Sequence, residues 1–165
     1  MPTKNAKAKP TAKSSAGQTH VFRVALQPEP AILREIEVIS SRTLVDLAKA
    51  IVGAFDFEFD HAFGFYSNLT GPYVRRSGTS YELFADMGEE TKSRSVKRTR
   101  VAEAFLGIGQ RMLFLFDYGD DWRFVVEVIG IGNKERDVRY PRVLKKVGAS
   151  PPQYGGWDDE DDEVE

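Results

Sequence analysis

No cysteine occurs anywhere in the chain, which excludes disulfides and thiolate metal sites. Long apolar runs are missing too: none approaches bilayer length, and the N-terminus lacks a signal-peptide core. A soluble cytoplasmic protein with no membrane partner is therefore expected. There is no nucleophile–base set, no metal-ligand spacing and no phosphate loop. Gly107-Ile108-Gly109 is not a nucleotide fingerprint, because it lacks the third glycine and the preceding strand. Asn68-Leu69-Thr70 fits a glycosylation sequon, which without secretion means nothing. No cofactor is expected.

Net charge is low at −2, but it is unevenly spread. Lys4, Lys7, Lys9 and Lys13 make the head basic, and residues 158–165 carry seven acids in the run from Asp158. Removing both ends leaves the body near neutral, so overall charge argues neither for nor against nucleic acid. The 165 residues, 12% of them aromatic, suffice for one domain with a core. The expected organisation is a disordered basic tail over 1–17, one domain over 18–157 and a disordered acidic tail over 158–165.

What is present centres on Met112–Val128. Met112, Phe114 and Phe116 alternate with Leu113 and Leu115, so both faces are apolar and a central strand covered on two sides is expected. After a corner at Tyr118-Gly119-Asp120-Asp121, Trp122, Phe124, Val126 and Val128 share one face of a second strand. Gly119 is expected to supply the positive φ of the turn. Asp117, Asp120 and Asp121 then serve as turn formers, or as a carboxylate cluster able to hold a hard cation.

Upstream, His20–Leu26 and Ile32–Ile39 read as an antiparallel hairpin, with Ile36 and Val38 inward and Glu35 and Glu37 outward. Thr43 and Asp46 form a capping box that opens a helix, whose stripe is Leu44, Leu47, Ala48, Ile51 and Phe55. Residues 57–66 alternate and should return as a strand. Asp60-His61 within them is either a local hydrogen-bonded pair or a catalytic or metal element.

Residues 67–80 read as a surface loop with Arg75-Arg76, Tyr81–Phe84 as a short strand, and 86–100 as a mobile basic loop. That last loop, with Lys92, Arg94, Lys97, Arg98 and Arg100, is either a solvated surface or a phosphate contact. The acidic tail is expected to reach it. Val101–Leu106 should be a short helix, 130–139 a loop, and Tyr140–Leu144 a short extended piece that Pro141 confines to an edge.

Three pieces resemble the plasmid pRiA4b ORF-3-like family, met also as insertion-element passenger proteins (TnpR family). They are Leu44–Phe55 with Phe59–Phe63; Tyr118-Gly119-Asp120-Asp121-Trp122; and Tyr140-Pro141-Arg142 leading to Pro151-Pro152 and Gly155-Gly156. The resemblance spans roughly Val21 to Gly156. Between the prolines and glycines the family usually has an acidic pair, where this chain has Gln153-Tyr154. The resemblance implies an α+β domain from plasmid and transposon neighbourhoods, with no established enzymatic activity.

The order of elements suggests a single mixed, mainly antiparallel sheet with one covering helix, β-grasp-like. The expected function is a non-catalytic interaction module with an unidentified protein partner. The alternatives are nucleic-acid binding through Arg75, Arg76 and the basic loop, and metal-dependent nucleic-acid processing by Asp60, His61, Asp117, Asp120 and Asp121.

Overall fold

The structure, a computed structural model, describes residues 17–154, so both expected tails, with Gly155, Gly156 and Trp157, lie outside the described residues. Strands β1 (Gln18–Gln27) and β2 (Leu33–Ile39) form the first hairpin, with Phe22 opposite Ile36. Helix α1 (Leu44–Ala54) starts at the expected box: Asp46 N–H donates to Thr43 Oγ1 at 3.3 Å, and Thr43 N–H donates to Asp46 Oδ2 at 3.4 Å. A cap of this kind is worth about 1 kcal/mol. The helix buries Leu44, Leu47, Ala48, Ile51 and Val52 against the sheet.

Then come β3 (Phe63–Tyr66), β4 (Ser80–Glu82), β5 (Arg94–Ser95), α2 (Val101–Ala104), β6 (Arg111–Phe116), β7 (Trp122–Asn133) and β8 (Arg142–Val147). Among the described residues these strands make one eight-stranded sheet, ordered β5-β4-β3-β6-β7-β1-β2-β8. Only β4 and β5 pair in parallel, so the sheet is mixed and mainly antiparallel, and the class is α+β. Strand β6 is covered on both faces, as its composition requires. Met112, Phe114 and Phe116 join the α1 side of the core. Leu113 and Leu115 pack with Tyr66 and Val74 on the other side, under the loop that follows β3.

Four local expectations are corrected. Only 63–66 of the segment 57–66 is strand; Phe57 and Phe59 leave the ladder to pack edge-on against Trp122 and beside Phe63, at 4.7 and 5.4 Å between rings. The loop expected from Gly130 is strand as far as Asn133, with Gly130 opposite Val21 and Gly132 opposite Thr19. Gly119 is not the residue with positive φ: Asp117 (66°) and Asp121 (57°) are. Asp117 tolerates this because its Oδ1 accepts the N–H groups of Gly119 and Asp120, at 3.1 and 3.2 Å. Glu37 is buried, because Thr19 donates to it at 2.7 Å and Arg142 at 2.8 Å.

The stretch 86–100 is also more built than a mobile loop. Asp86 accepts from Ser95 Oγ (2.5 Å), Val96 N–H (3.0 Å) and Lys97 N–H (3.3 Å), and Val96 is fully buried. One apolar anchor and one carboxylate leave no periodic pattern for a sequence reading to find. Among the described residues no helix is long and apolar enough to cross a membrane.

Candidate functional site

Beyond β4, the turn Val74–Arg76 and the strand entry at β5 face each other across a cleft of about 580 Å³. Arg75, Arg76, Lys92 and Arg94 line it, with the hydroxyls of Ser77, Thr79, Ser80, Thr91 and Ser93. Among the described residues no carboxylate lines it. Ser80 and Ser93 hydroxyls bond across it at 2.6 Å, which ties its two walls together. The other basic candidates lie elsewhere. Lys97 and Arg98 are exposed past Val96, and Arg100 precedes α2, its N–H donating to Glu103 at 2.9 Å.

Beneath the cleft is a buried polar cluster that the sequence reading did not anticipate. Glu82 is 1% exposed, and Arg75 grips it with two bonds, Nε to Oε2 at 2.6 Å and Nη2 to Oε1 at 3.1 Å. Thr91 donates to Glu82 Oε1 at 3.0 Å, the Tyr66 hydroxyl donates to Oε2, and the hydroxyls of Tyr66 and Tyr118 meet at 2.7 Å. Burial alone would raise the Glu82 pKa; the bonds from Arg75, Tyr66 and Thr91 outweigh it and hold the carboxyl below its usual range. Burial, with the neighbouring Tyr118 and Glu82, pushes the Tyr66 phenol well up, so it stays a donor. The Arg75 guanidinium also lies over Phe84 (5.1 Å) and Tyr118 (5.4 Å). It is a cation fixed in place before any ligand arrives. With Glu82 counted against the four cations, the cleft keeps a net charge of +3.

One signal for this cluster was in the sequence: Gly64, alone among Phe63, Phe65 and Tyr66. A glycine inside a strand marks close approach, and a Cβ there would lie 2.7 Å from the Tyr66 hydroxyl and 2.8 Å from that of Tyr118.

The second candidate group meets only in part. His61 Nδ1 is 2.7 Å from Asp60 Oδ1, and Nε2 is 3.4 Å from Asp117 Oδ2. Tyr154, from the end of the described chain, donates to Asp60 at 2.9 Å, and the Gln153 amide pairs with both the N–H and the C=O of Glu58, at 2.7 and 3.2 Å. Acids in place of Gln153 and Tyr154 would face Asp60. Asp121 turns away to Arg123 at 2.8 Å. Among the described residues no three of His, Asp and Glu are grouped to hold a metal ion.

The hydrogen bond to Asp60 raises the His61 pKa and outweighs the lowering by burial, and the Asp117 charge adds a smaller rise. Deep burial lowers that of His20, whose ring bonds Ser40 Oγ (2.7 Å) and the Phe105 carbonyl (2.9 Å). These are the chain's two histidines. Ring-proton titration by NMR is expected to resolve one above and one below about 6.5. Linkage follows with opposite signs. The His61 contribution to stability is whole below about 6.5 and lost as pH rises through its folded pKa, whereas the His20 contribution is whole above about 6.5 and lost as pH falls. An Asp60→Asn variant should bring His61 back towards 6.5; a His61 that titrates there without the substitution would remove the contact.

The sequence profile of the plasmid pRiA4b ORF-3-like proteins matches residues 18–159. This chain belongs to that family. In the structure the α1 exit, the β6–β7 turn and the segment after Pro151-Pro152 come together around His61. Tyr140 and Pro141 instead line a cavity that Asp46 and Ala50 of α1 also line. Among solved structures, a Methanosarcina mazei Go1 protein of unknown function, MM3350, is similar. It shares 21% identity with a TM-score of 0.71, over 88% of this chain and 79% of that one. At that identity the likeness is one of fold. No curated protein matches.

Proposed function

We propose that this pRiA4b ORF-3-like protein is a non-catalytic, cytoplasmic interaction module of mobile-element type, and that it docks a polyanion in the cleft between 75–80 and 91–94. The convergence of Arg75, Arg76, Lys92 and Arg94 carries this reading, with Thr79 and one member of the Ser80–Ser93 pair left to donate. It favours a phosphate-bearing partner over the protein partner expected from sequence, since phosphate contacts come from arginine, lysine and hydroxyl groups together. A non-catalytic role is supported by how Glu82 is used: its carboxylate is taken up by Arg75, Tyr66 and Thr91. The β-grasp-like reading belongs to the same proposal, resting on the order hairpin, helix, returning strands.

Fluorescence anisotropy with a labelled nucleic acid tests it. The log of the binding constant should fall against log salt with a slope of about −2 to −4. Replacing Lys92 and Arg94 by alanine should make that slope shallower by about 1.5. The control pair Lys97→Ala and Arg98→Ala should leave it almost unchanged. Equal effects from both pairs would argue against the cleft.

A further inference from the structure

We infer that the occupant of the cleft is single-stranded nucleic acid, with a base stacked on Tyr73 while the adjoining phosphate enters between the two walls. This rests on the cleft reading above and adds to it the form of the polyanion.

Three observations point this way. The first is shape. At about 580 Å³, the cleft has the size of a small-ligand pocket. It admits a phosphate and its sugar from a flexible strand. A duplex is a stiff cylinder whose phosphates are spread over a convex surface, and it can only touch the rim. The second is the aromatic beside it. Tyr73 is 63% exposed, although it belongs to a loop whose next residue, Val74, is fully anchored in the core. The guanidinium of Arg76 lies 4.5 Å from the Tyr73 ring centre. Arg76 also lines the cleft, so the stacked ring and the anion site share one residue. An exposed ring backed by a cation is a platform for a base, and stacking next to a basic groove is how sequence-tolerant single-strand binders work. The third is rigidity. Arg75 is fixed by Glu82, Phe84 and Tyr118, and the walls are joined through Ser80 and Ser93. Arg75 therefore loses little freedom when a phosphate arrives.

The hydroxyls set the chemistry further. Ser77 and Thr91 already donate to Val74 and Glu82, so Thr79 and one member of the Ser80–Ser93 pair, beside a fixed guanidinium, give the hydrogen bonds to phosphate oxygens without reading any base. Little sequence preference is expected, beyond a bias from stacking strength.

The test compares four labelled probes with the full-length chain at roughly 50 mM salt: a mixed-sequence single strand of about 12 nucleotides, its duplex, the same strand with abasic sugars, and a mononucleotide. The single strand should bind at least about tenfold more tightly than the duplex and the abasic strand. The mononucleotide should bind more weakly still. Tyr73→Ala should remove about tenfold from single-strand binding and nothing from abasic binding, whereas Tyr73→Phe should retain it. Tyr73 is exposed, so neither change threatens folding.

Equal binding of single strand and duplex, unchanged by Tyr73→Ala yet weakened by Lys92→Ala/Arg94→Ala, would overturn this inference and leave the polyanion cleft standing. A mononucleotide as tight as the strand would overturn it in favour of a free nucleotide. No binding of any probe would remove both.

Discussion

Replacing Arg34 with methionine is expected to lower the unfolding free energy by about 3–5 kcal/mol. Arg34 is 2% exposed, and its side chain spends its donors on five acceptors. Nε reaches the Ala54 carbonyl at 2.9 Å, at the end of α1 where a cation also opposes the helix dipole. Nη1 reaches the Leu33, Val147 and Gly148 carbonyls at 2.8 to 3.0 Å, and Nη2 the Ser150 hydroxyl at 2.8 Å. The guanidinium also covers the Phe55 ring at 4.8 Å. Methionine keeps much of the volume but leaves the carbonyls without their donor, so the helix end, β2 and the chain after β8 separate. Urea unfolding should show a lower midpoint at unchanged slope. Lysine should recover only part, since an ammonium cannot reproduce the planar fork. A loss below about 1 kcal/mol on Arg34→Met would mean that water already serves these carbonyls.

Gly64→Ala is the second large effect, at about 2–4 kcal/mol. The new Cβ would lie 2.7 Å from the Tyr66 hydroxyl and 2.9 Å from Tyr66 Cζ, with the Tyr118 hydroxyl at 2.8 Å. Tyr66 is fully buried and bonded to Glu82, so it cannot move aside without opening that bond. The cost should shrink in a Tyr118→Phe background, where one of the two crowding oxygens is gone. A double-mutant cycle measures this directly. Because Glu82 fixes Arg75, Gly64→Ala should also weaken polyanion binding, although Gly64 does not line the cleft.

Strands β1, β2 and β6, the start of β7 and the main helix were legible because each carries a period. The β1–β2 hairpin, the Thr43–Asp46 box and the two-sided β6 follow from spacing alone. Legibility failed where one side chain does what a pattern would otherwise do. Asp117 takes the conformation assigned to Gly119, because its carboxylate bonds the turn's own N–H groups. Arg34 and Glu37 sit at positions of ordinary alternation, and only their remote partners, the 147–150 segment and Arg142, explain why they are buried. The cleft was half legible. Its four cations were visible as basic residues, but Lys97, Arg98 and Arg100 looked the same, and only the turn at 74–76 and the parallel β4–β5 pairing separate the two sets. The carboxylate beneath them was hidden because a charged residue in a short strand reads as exposed.

Amide chemical-shift mapping of the full-length chain with a single-stranded oligonucleotide addresses the central claim most directly. Shifts are expected at 73–80 and 91–94, reduced at high salt, with little change at 58–61 and 117–121. Shifts gathered around Asp60, His61 and Asp117 instead, with the cleft amides unmoved, would contradict it.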